Sequence, residues 1–318
     1  MNLRQIEYAL AVARERSFNR AAFACHVSQP SLSVAVKALE EELELPLFER
    51  SRNEIKVTPQ GLRVLEQMRR ALEEVQRIRL IARGASDPLS GPLRLGAILT
   101  VGPYFFPSLA AAFHTVAPRM KLLLEENFTS VLTERLKRGD LDAIIIAYPF
   151  QEHGLETLPL YDESFLAAVP AGHPWEHRTD LRGDDLGRTE LILLGKGHCF
   201  RDQVLEICPE CMRMDETSGG VRHIIEGTSL ETVRHMVATG VGVSVLPLSS
   251  VNSLVCNLPT CPARDDLLVR YVPFAHPAPS RRVALAWRTS YPNHDAITAL
   301  ATAARNSIPR GSLPIEAK

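Results

Sequence analysis

The sequence predicts an α/β protein in three parts: a small N-terminal winged helix-turn-helix, one long linking helix, and a two-lobed α/β domain that fills the rest of the chain. Three observations carry this. Short capped helical patterns crowd residues 1 to 58, an apolar seam runs for about 25 residues behind them, and from residue 93 strand and helix patterns alternate. At 318 residues the chain is long enough for two or three domains, each with its own core.

In the first part, Ile6, Leu10 and Ala13 recur at helical spacing, Ser17 stands as a cap before "FNRAAFACH", and Ser28 as a cap before "QPSLSVAVKALEEELE". Pro30 suits a first helical turn. Leu32, Val36 and Leu39 form an inward stripe, which leaves Gln29, Ser31, Ser33 and Lys37 on the outer face. "PLFERSRNEIKVT" reads as a β-hairpin wing with a polar tip.

Two capped helices joined by the turn "CHVS" make a helix-turn-helix candidate. A recognition helix must enter the major groove with donors and acceptors at its first turn, a pattern that Gln29, Pro30, Ser31 and Ser33 fit. Lys37 and the wing arginines Arg50 and Arg52 are candidate phosphate contacts. The acids Glu40, Glu41, Glu42 and Glu44 oppose this unless they face solvent, and a small helical cap with a solvated face shows the same spacing.

Thr58 and Pro59 start a new helix, along which Leu65, Met68, Leu72, Val75 and Ala82 step by threes and fours. Such a seam packs on its own domain or on a second copy, and its position between two domains favours a dimer. "GASDPLSGP" ends it as a linker. The expected parts are therefore residues 1–58, 59–91 and 92–318. The last divides into lobe I, about 92–162 and 268–305, and lobe II, about 163–267. "LRLGAIL", "AIIIAY", "ELILLG", "VSVLP" and "RVALAW" are its strands, and the intervening helices imply mostly parallel pairing.

Composition excludes more than it assigns. With 36 Lys and Arg against 37 Asp and Glu, the net charge of −1 gives no global basic signature, so any nucleic-acid contact rests on local placement. No apolar run reaches the length of a membrane span, and "MNLRQIEYALAVARERSF" carries charges inside its apolar pattern, unlike a signal peptide. The expectation is a cytoplasmic protein, where thiols are reduced and disulfides are transient, catalytic or sensory.

Against that background "GKGHCFRDQVLEICPEC" stands out, with Cys199, Cys208 and Cys211 in one short stretch. Cys199 falls where a strand ends and a helix begins, and helix N-terminal N–H groups favour an anion such as the thiolate that attacks peroxide. His198 and Arg201 add donors. Were residues 199 to 208 helical, the two cysteines would lie roughly 13 Å apart, whereas a disulfide needs Cα atoms within about 7 Å. Closing that bond requires unwinding. Cys25, Cys256 and Cys261 read as small buried hydrophobes. Cys208 and Cys211 with "CNLPTC" allow a zinc reading, which the C-x4-C spacing of the second pair disfavours, so no metal or cofactor is expected.

"SFNRAAFACHVSQPSLSVAVKALEEELELPLFERSRNEIKVTPQG" resembles the N-terminal segment of LysR-type transcriptional regulators. The layout behind it is similar to their linker helix and periplasmic-binding-protein-like effector domain. "GHCFRDQ" followed by Cys208, "GPLRLGAILTVGPYFFP", "ENFTSVLTERLKRGDLD", "GTSLETVRHMVATGVGVSVLP" and "PSRRVALAWR" resemble the peroxide-sensing branch of that family. The resemblance implies a regulator without turnover chemistry that switches through a Cys199–Cys208 disulfide and controls antioxidant genes. Cys199 would be peroxidatic and Cys208 resolving, with Thr100, Thr129, His198, Asp202 and Arg282 around the peroxide. It also implies promoter DNA and RNA polymerase as partners and a dimer of dimers. Pro209 and Cys211 depart from the pattern, and Cys211 is a competing resolving thiol. The alternative on the same scaffold is a regulator that senses a small metabolite between the lobes, with Cys199 incidental.

Overall fold

The computed structural model describes residues 1–50, 55–82, 88–208, 211, 225–251 and 268–315. It divides into two units: residues 1–88 with 290–294, and residues 89–289 with 295–318.

In the first unit, α1 (Leu3–Glu15), α2 (Phe18–Ala24) and α3 (Gln29–Glu42) pack around one core. Each start is capped as the side-chain chemistry requires. Asn2 accepts from the Gln5 N–H, Ser17 from Arg20 and Ser28 from Ser31. Leu32, Val36 and Leu39 are fully buried. β1 (Phe48–Arg50) pairs antiparallel with β2 (Ile55–Val57) to form the wing. Glu40 Oε1 accepts the Leu47 and Phe48 N–H groups at 2.7 and 3.1 Å, so this acid braces the wing.

Thr58 caps α4 (Pro59–Ala82), accepting from the Gly61 N–H at 2.8 Å. The expected seam is split. Leu65 and Met68 are buried in the core of the unit itself, with Leu72 packed at its margin, because α4 lies against α1.

The second unit holds β3 (Gly91–Ile98), α5 (Gly102–Val116), β4 (Met120–Asn127), α6 (Thr129–Arg138), β5 (Ala143–Tyr148) and β6 (Leu155–Pro170). It continues with α7 (Gly183–Leu186), β7 (Ile192–Leu194), α8 (Cys199–Ile207), β8 (Ile225–Gly227), α9 (Leu230–Ala238), β9 (Ser244–Pro247) and α10 (Leu248–Val251). β10 (Val269–Pro273), β11 (Ser280–Arg288), α11 (His294–Asn306) and β12 (Leu313–Pro314) complete it.

The main sheet runs β10-β6-β11-β5-β3-β4, with β9 and β12 also on β6. β3, β4 and β5 are parallel, as are β7 and β8, but β6 pairs antiparallel with β9, β10, β11 and β12. The mostly parallel expectation is therefore corrected to a mixed sheet. The reason is the long β6, whose first part pairs with β11 in lobe I and whose last residues pair with β9 and β10 in lobe II. A chain that crosses between lobes and returns pairs antiparallel with itself. The expected boundary at residue 268 moves accordingly: Val269, Val272 and Phe274 belong to the lobe II core.

Candidate redox and DNA-contact sites

The redox helix is positioned at both ends by its neighbours. α8 begins at Cys199, with His198 as the capping residue and the preceding Gly197 at φ +98°. A side chain is rarely tolerated at that φ, and a Cβ on Gly197 would come within 3.3 Å of the Phe128 ring. Phe128 in turn packs edge-on against the His198 ring, centroids 4.8 Å apart. Because Phe128 precedes Thr129 at the start of α6, this contact sets the N-termini of α6 and α8 beside each other.

His198 is buried, and burial lowers its imidazole below the ordinary 6.5, while its hydrogen bond to the Thr228 backbone pulls the other way. Cys199 is a half-buried free thiol. Asp202 is exposed in the first turn of α8, and Thr129 is half-buried at the first position of α6.

Of the arginine pair in β11, Arg281 and not the expected Arg282 is the one that hydrogen-bonds Thr100. Arg282 is partly exposed and forks onto Asp162, with Nε and Nη2 at 2.7 and 2.8 Å from the carboxylate oxygens. Its neighbour Arg281 is fully buried and donates from Nη1 to Thr100 Oγ1 at 2.8 Å and from Nη2 to the Thr100 carbonyl at 2.9 Å. Consecutive strand residues point to opposite faces, so only one arginine of the pair can reach Thr100. Arg281 also donates from Nε to Glu163 Oε1 at 2.7 Å and lies 5.2 Å from the Phe200 ring centroid. Through this one guanidinium, Thr100, in the turn that follows β3, is tied to β6 and to the residue after Cys199.

Arg201 is the other expected donor. It is buried and held by the Leu194 carbonyl at 2.7 Å and the Glu226 carboxylate at 3.0 Å. Phe128, Glu163 and Arg281 were missed by sequence reasoning. Residues 283 to 286 of β11 are buried on both faces, so alternation could not say which arginine faces inward.

At the far end of α8, Cys208 caps the helix and is joined by a disulfide to Cys211, with Cα atoms 5.2 Å apart. Cys199 and Cys208 thus stand at opposite ends of an intact helix, the arrangement from which a Cys199–Cys208 bond requires unwinding. The last turn fits closely under α7, since a Cβ on Gly183 would lie 1.9 Å from the Ile207 carbonyl oxygen. Beside α8 a cavity of about 650 Å³ is lined by Tyr148, Phe165, Gln203, Ile207, Phe274 and Arg281. Gln203 Oε1 faces no hydrogen-bond partner. Cys256 and Cys261 lie outside the described residues, among which no side-chain cluster could hold a metal.

On the DNA-contact candidate, Pro30 and Ser31 are exposed in the first turn of α3 and Lys37 is exposed further along it, while Gln29 and Ser33 are half-buried. The Ser31 hydroxyl engages the Ser28 hydroxyl at 2.8 Å, and Lys37 pairs with Glu41 at 3.5 Å. The Arg50 side chain and Arg52 lie outside what is described. No helix among the described residues is long and apolar enough to cross a membrane.

Residues 3–62 match the family described as bacterial regulatory helix-turn-helix protein, lysR family, and residues 86–308 match the LysR substrate binding domain. The chain is 38 % identical over 292 residues to the hydrogen peroxide-inducible genes activator of Pectobacterium carotovorum subsp. carotovorum, covering 92 % of each chain. It is 36 % identical over 305 residues to the DNA-binding transcriptional dual regulator OxyR of Escherichia coli K12, covering 96 % of this chain and 95 % of that one. Among solved structures, full-length OxyR C199D from Pseudomonas aeruginosa matches with a TM-score of 0.80 and 44 % identity, over 100 % of this chain and 99 % of the other.

Proposed function

The chain belongs to the LysR family of bacterial transcriptional regulators, and from that premise we propose that it senses hydrogen peroxide through Cys199 and controls antioxidant genes. The observation that carries this is the free Cys199 thiol at the first position of α8, beside buried His198 and joined through Phe200 to the Arg281–Thr100 pair. The names of the relatives, peroxide-inducible activators, support the same reading.

In the proposed step the Cys199 thiolate attacks one peroxide oxygen. An S–O bond forms, the O–O bond breaks, and hydroxide leaves. Thr100 and Thr129 position the peroxide, with Asp202 at the margin, while Arg281 and His198 donors stabilise the departing charge. A resolving thiolate, Cys208 or Cys211, then attacks the Cys199 sulfur and expels a second hydroxide. Closing a Cys199–Cys208 bond unwinds α8, and that refolding is the signal. The switched molecule acts on promoter DNA through Gln29, Pro30, Ser31, Ser33, Lys37, Arg50 and Arg52, as a dimer of dimers in the cytoplasm, with RNA polymerase as partner and no turnover chemistry.

The test is to treat the full-length protein with one equivalent of peroxide in the presence of dimedone. The proposal expects a sulfenic-acid adduct on Cys199 and none in Cys199→Ser. An unmodified Cys199 would remove it. A second reading, metabolite sensing, is favoured by the cavity beside α8 and the unpartnered Gln203 oxygen. It predicts a normal transcriptional response in Cys199→Ser.

A further inference from the structure

α8 carries a free thiol at one end and a closed disulfide at the other. Cys208 and Cys211 are both buried in the lobe II core. Cys211 N–H donates to Cys208 Sγ at 3.2 Å, and Cys208 N–H donates to the Leu205 carbonyl at 3.1 Å, so the bond sits on an intact last helical turn. The sulfur that the proposed function needs as a nucleophile against oxidised Cys199 is already committed. A sulfur in a disulfide has no thiolate with which to attack a sulfenic acid.

We infer that the Cys208–Cys211 couple is a second redox site of this protein, a latch set by low-molecular-weight disulfides that decides whether oxidised Cys199 can be resolved. The inference rests on the peroxide-sensor reading. Geometry favours the local bond: three residues apart, the pair reaches a Cα separation of 5.2 Å with α8 intact, whereas Cys199 and Cys208 meet only after α8 unwinds.

The chemistry balances without the protein's own peroxide step. To close the latch, the Cys208 and Cys211 thiols give two electrons and two protons to a small disulfide RSSR. In a local opening that exposes the pair, one thiolate attacks RSSR and releases the first RSH, and the second thiol attacks the resulting mixed disulfide, releasing the other RSH as the Cys208–Cys211 bond forms. With the latch closed, peroxide takes Cys199 to the sulfenic acid and the sequence stops there. With the latch open, the Cys208 thiolate attacks the Cys199 sulfur, the S–O bond breaks, hydroxide leaves and the Cys199–Cys208 bond forms. The regulator thereby reads two inputs, peroxide at Cys199 and the disulfide pool at Cys208–Cys211.

The experiment uses full-length protein in two preparations, one reduced with dithiothreitol and one treated with glutathione disulfide, each desalted. Both receive one equivalent of peroxide, with and without dimedone, followed by mass-spectrometric disulfide mapping. The glutathione-disulfide preparation should contain the Cys208–Cys211 peptide, accumulate dimedone-reactive Cys199 and lose the Cys199–Cys208 product. The reduced preparation and reduced Cys211→Ser should both form Cys199–Cys208. Absence of the Cys208–Cys211 peptide after glutathione disulfide, or equally fast Cys199–Cys208 formation in both wild-type preparations, overturns the latch while leaving peroxide sensing standing. An unreactive Cys199 in both overturns peroxide sensing, and the latch with it.

Discussion

Arg281 and Thr100 are buried partners: the guanidinium donates to both the hydroxyl and the carbonyl oxygen of the threonine while its Nε holds Glu163. Glu163 also accepts the Ser249 N–H at 3.0 Å. Removing Arg281 leaves a buried carboxylate uncompensated, which costs about 3–5 kcal/mol, whereas the partly exposed Arg282–Asp162 pair is worth about 0–1 kcal/mol. Arg281→Ala should therefore lower the denaturant midpoint of the effector domain strongly and Arg282→Ala barely. Equal losses would show that the two arginines had been assigned to the wrong roles.

Gly197 tests the seat of the redox helix. Gly197→Ala places a side chain at φ +98° and against the Phe128 ring, a conformation that costs on the order of 1–3 kcal/mol. The expected outcome is a less stable domain in which Cys199 reacts more slowly with peroxide, read by melting and by competition kinetics. Unchanged values of both would mean that Phe128 does not fix the start of α8.

Burial of neutral His198 makes stability depend on pH. Its folded value lies below the ordinary 6.5, so its contribution is fully present above 6.5 and is lost as pH falls through the lowered folded value. Effector-domain stability measured from pH 7 to pH 5 should decline, and His198→Phe, which keeps an aromatic ring against Phe128, should flatten part of that decline. An identical pH profile in the variant would count against it.

At the DNA-contact candidate, two serines one turn apart divide labour with Gln29. Ser28 caps α3 and engages the Ser31 hydroxyl, so Ser28→Ala should cost about 1 kcal/mol of stability. Gln29 has no part in that cap. Gln29→Ala should leave the melting curve unchanged and weaken operator binding about tenfold, since a bidentate base contact is worth about 1–3 kcal/mol. Unaltered affinity by fluorescence anisotropy would take Gln29 off the base-reading surface.

Much of this fold was legible because its signals are local. Ser17, Ser28 and Thr58 cap the helices they were expected to cap, and Leu32, Val36 and Leu39 form the buried stripe. Long-range relations were not legible. β6 serves both lobes through pairings that no window of sequence contains, which is why Val269 and Val272 fell on the wrong side of the lobe boundary. The Arg281–Thr100 contact is not legible because β11 is buried on both faces, and the sequence does not show that Leu65 and Met68 pack in their own unit because their cover, α1, lies far away in the chain. The Cys208–Cys211 bond was foreseen only as a competing thiol.

The most direct test of the central claim, that oxidation of Cys199 drives the transcriptional switch, is promoter output from a reporter across a peroxide series in wild type, Cys199→Ser and the double variant Cys208→Ser, Cys211→Ser. The account predicts a graded response in wild type, a flat line in Cys199→Ser, and in the double variant a Cys199 that is oxidised without changing output. A Cys199→Ser response matching wild type would contradict it and transfer the sensing role to the cavity beside α8.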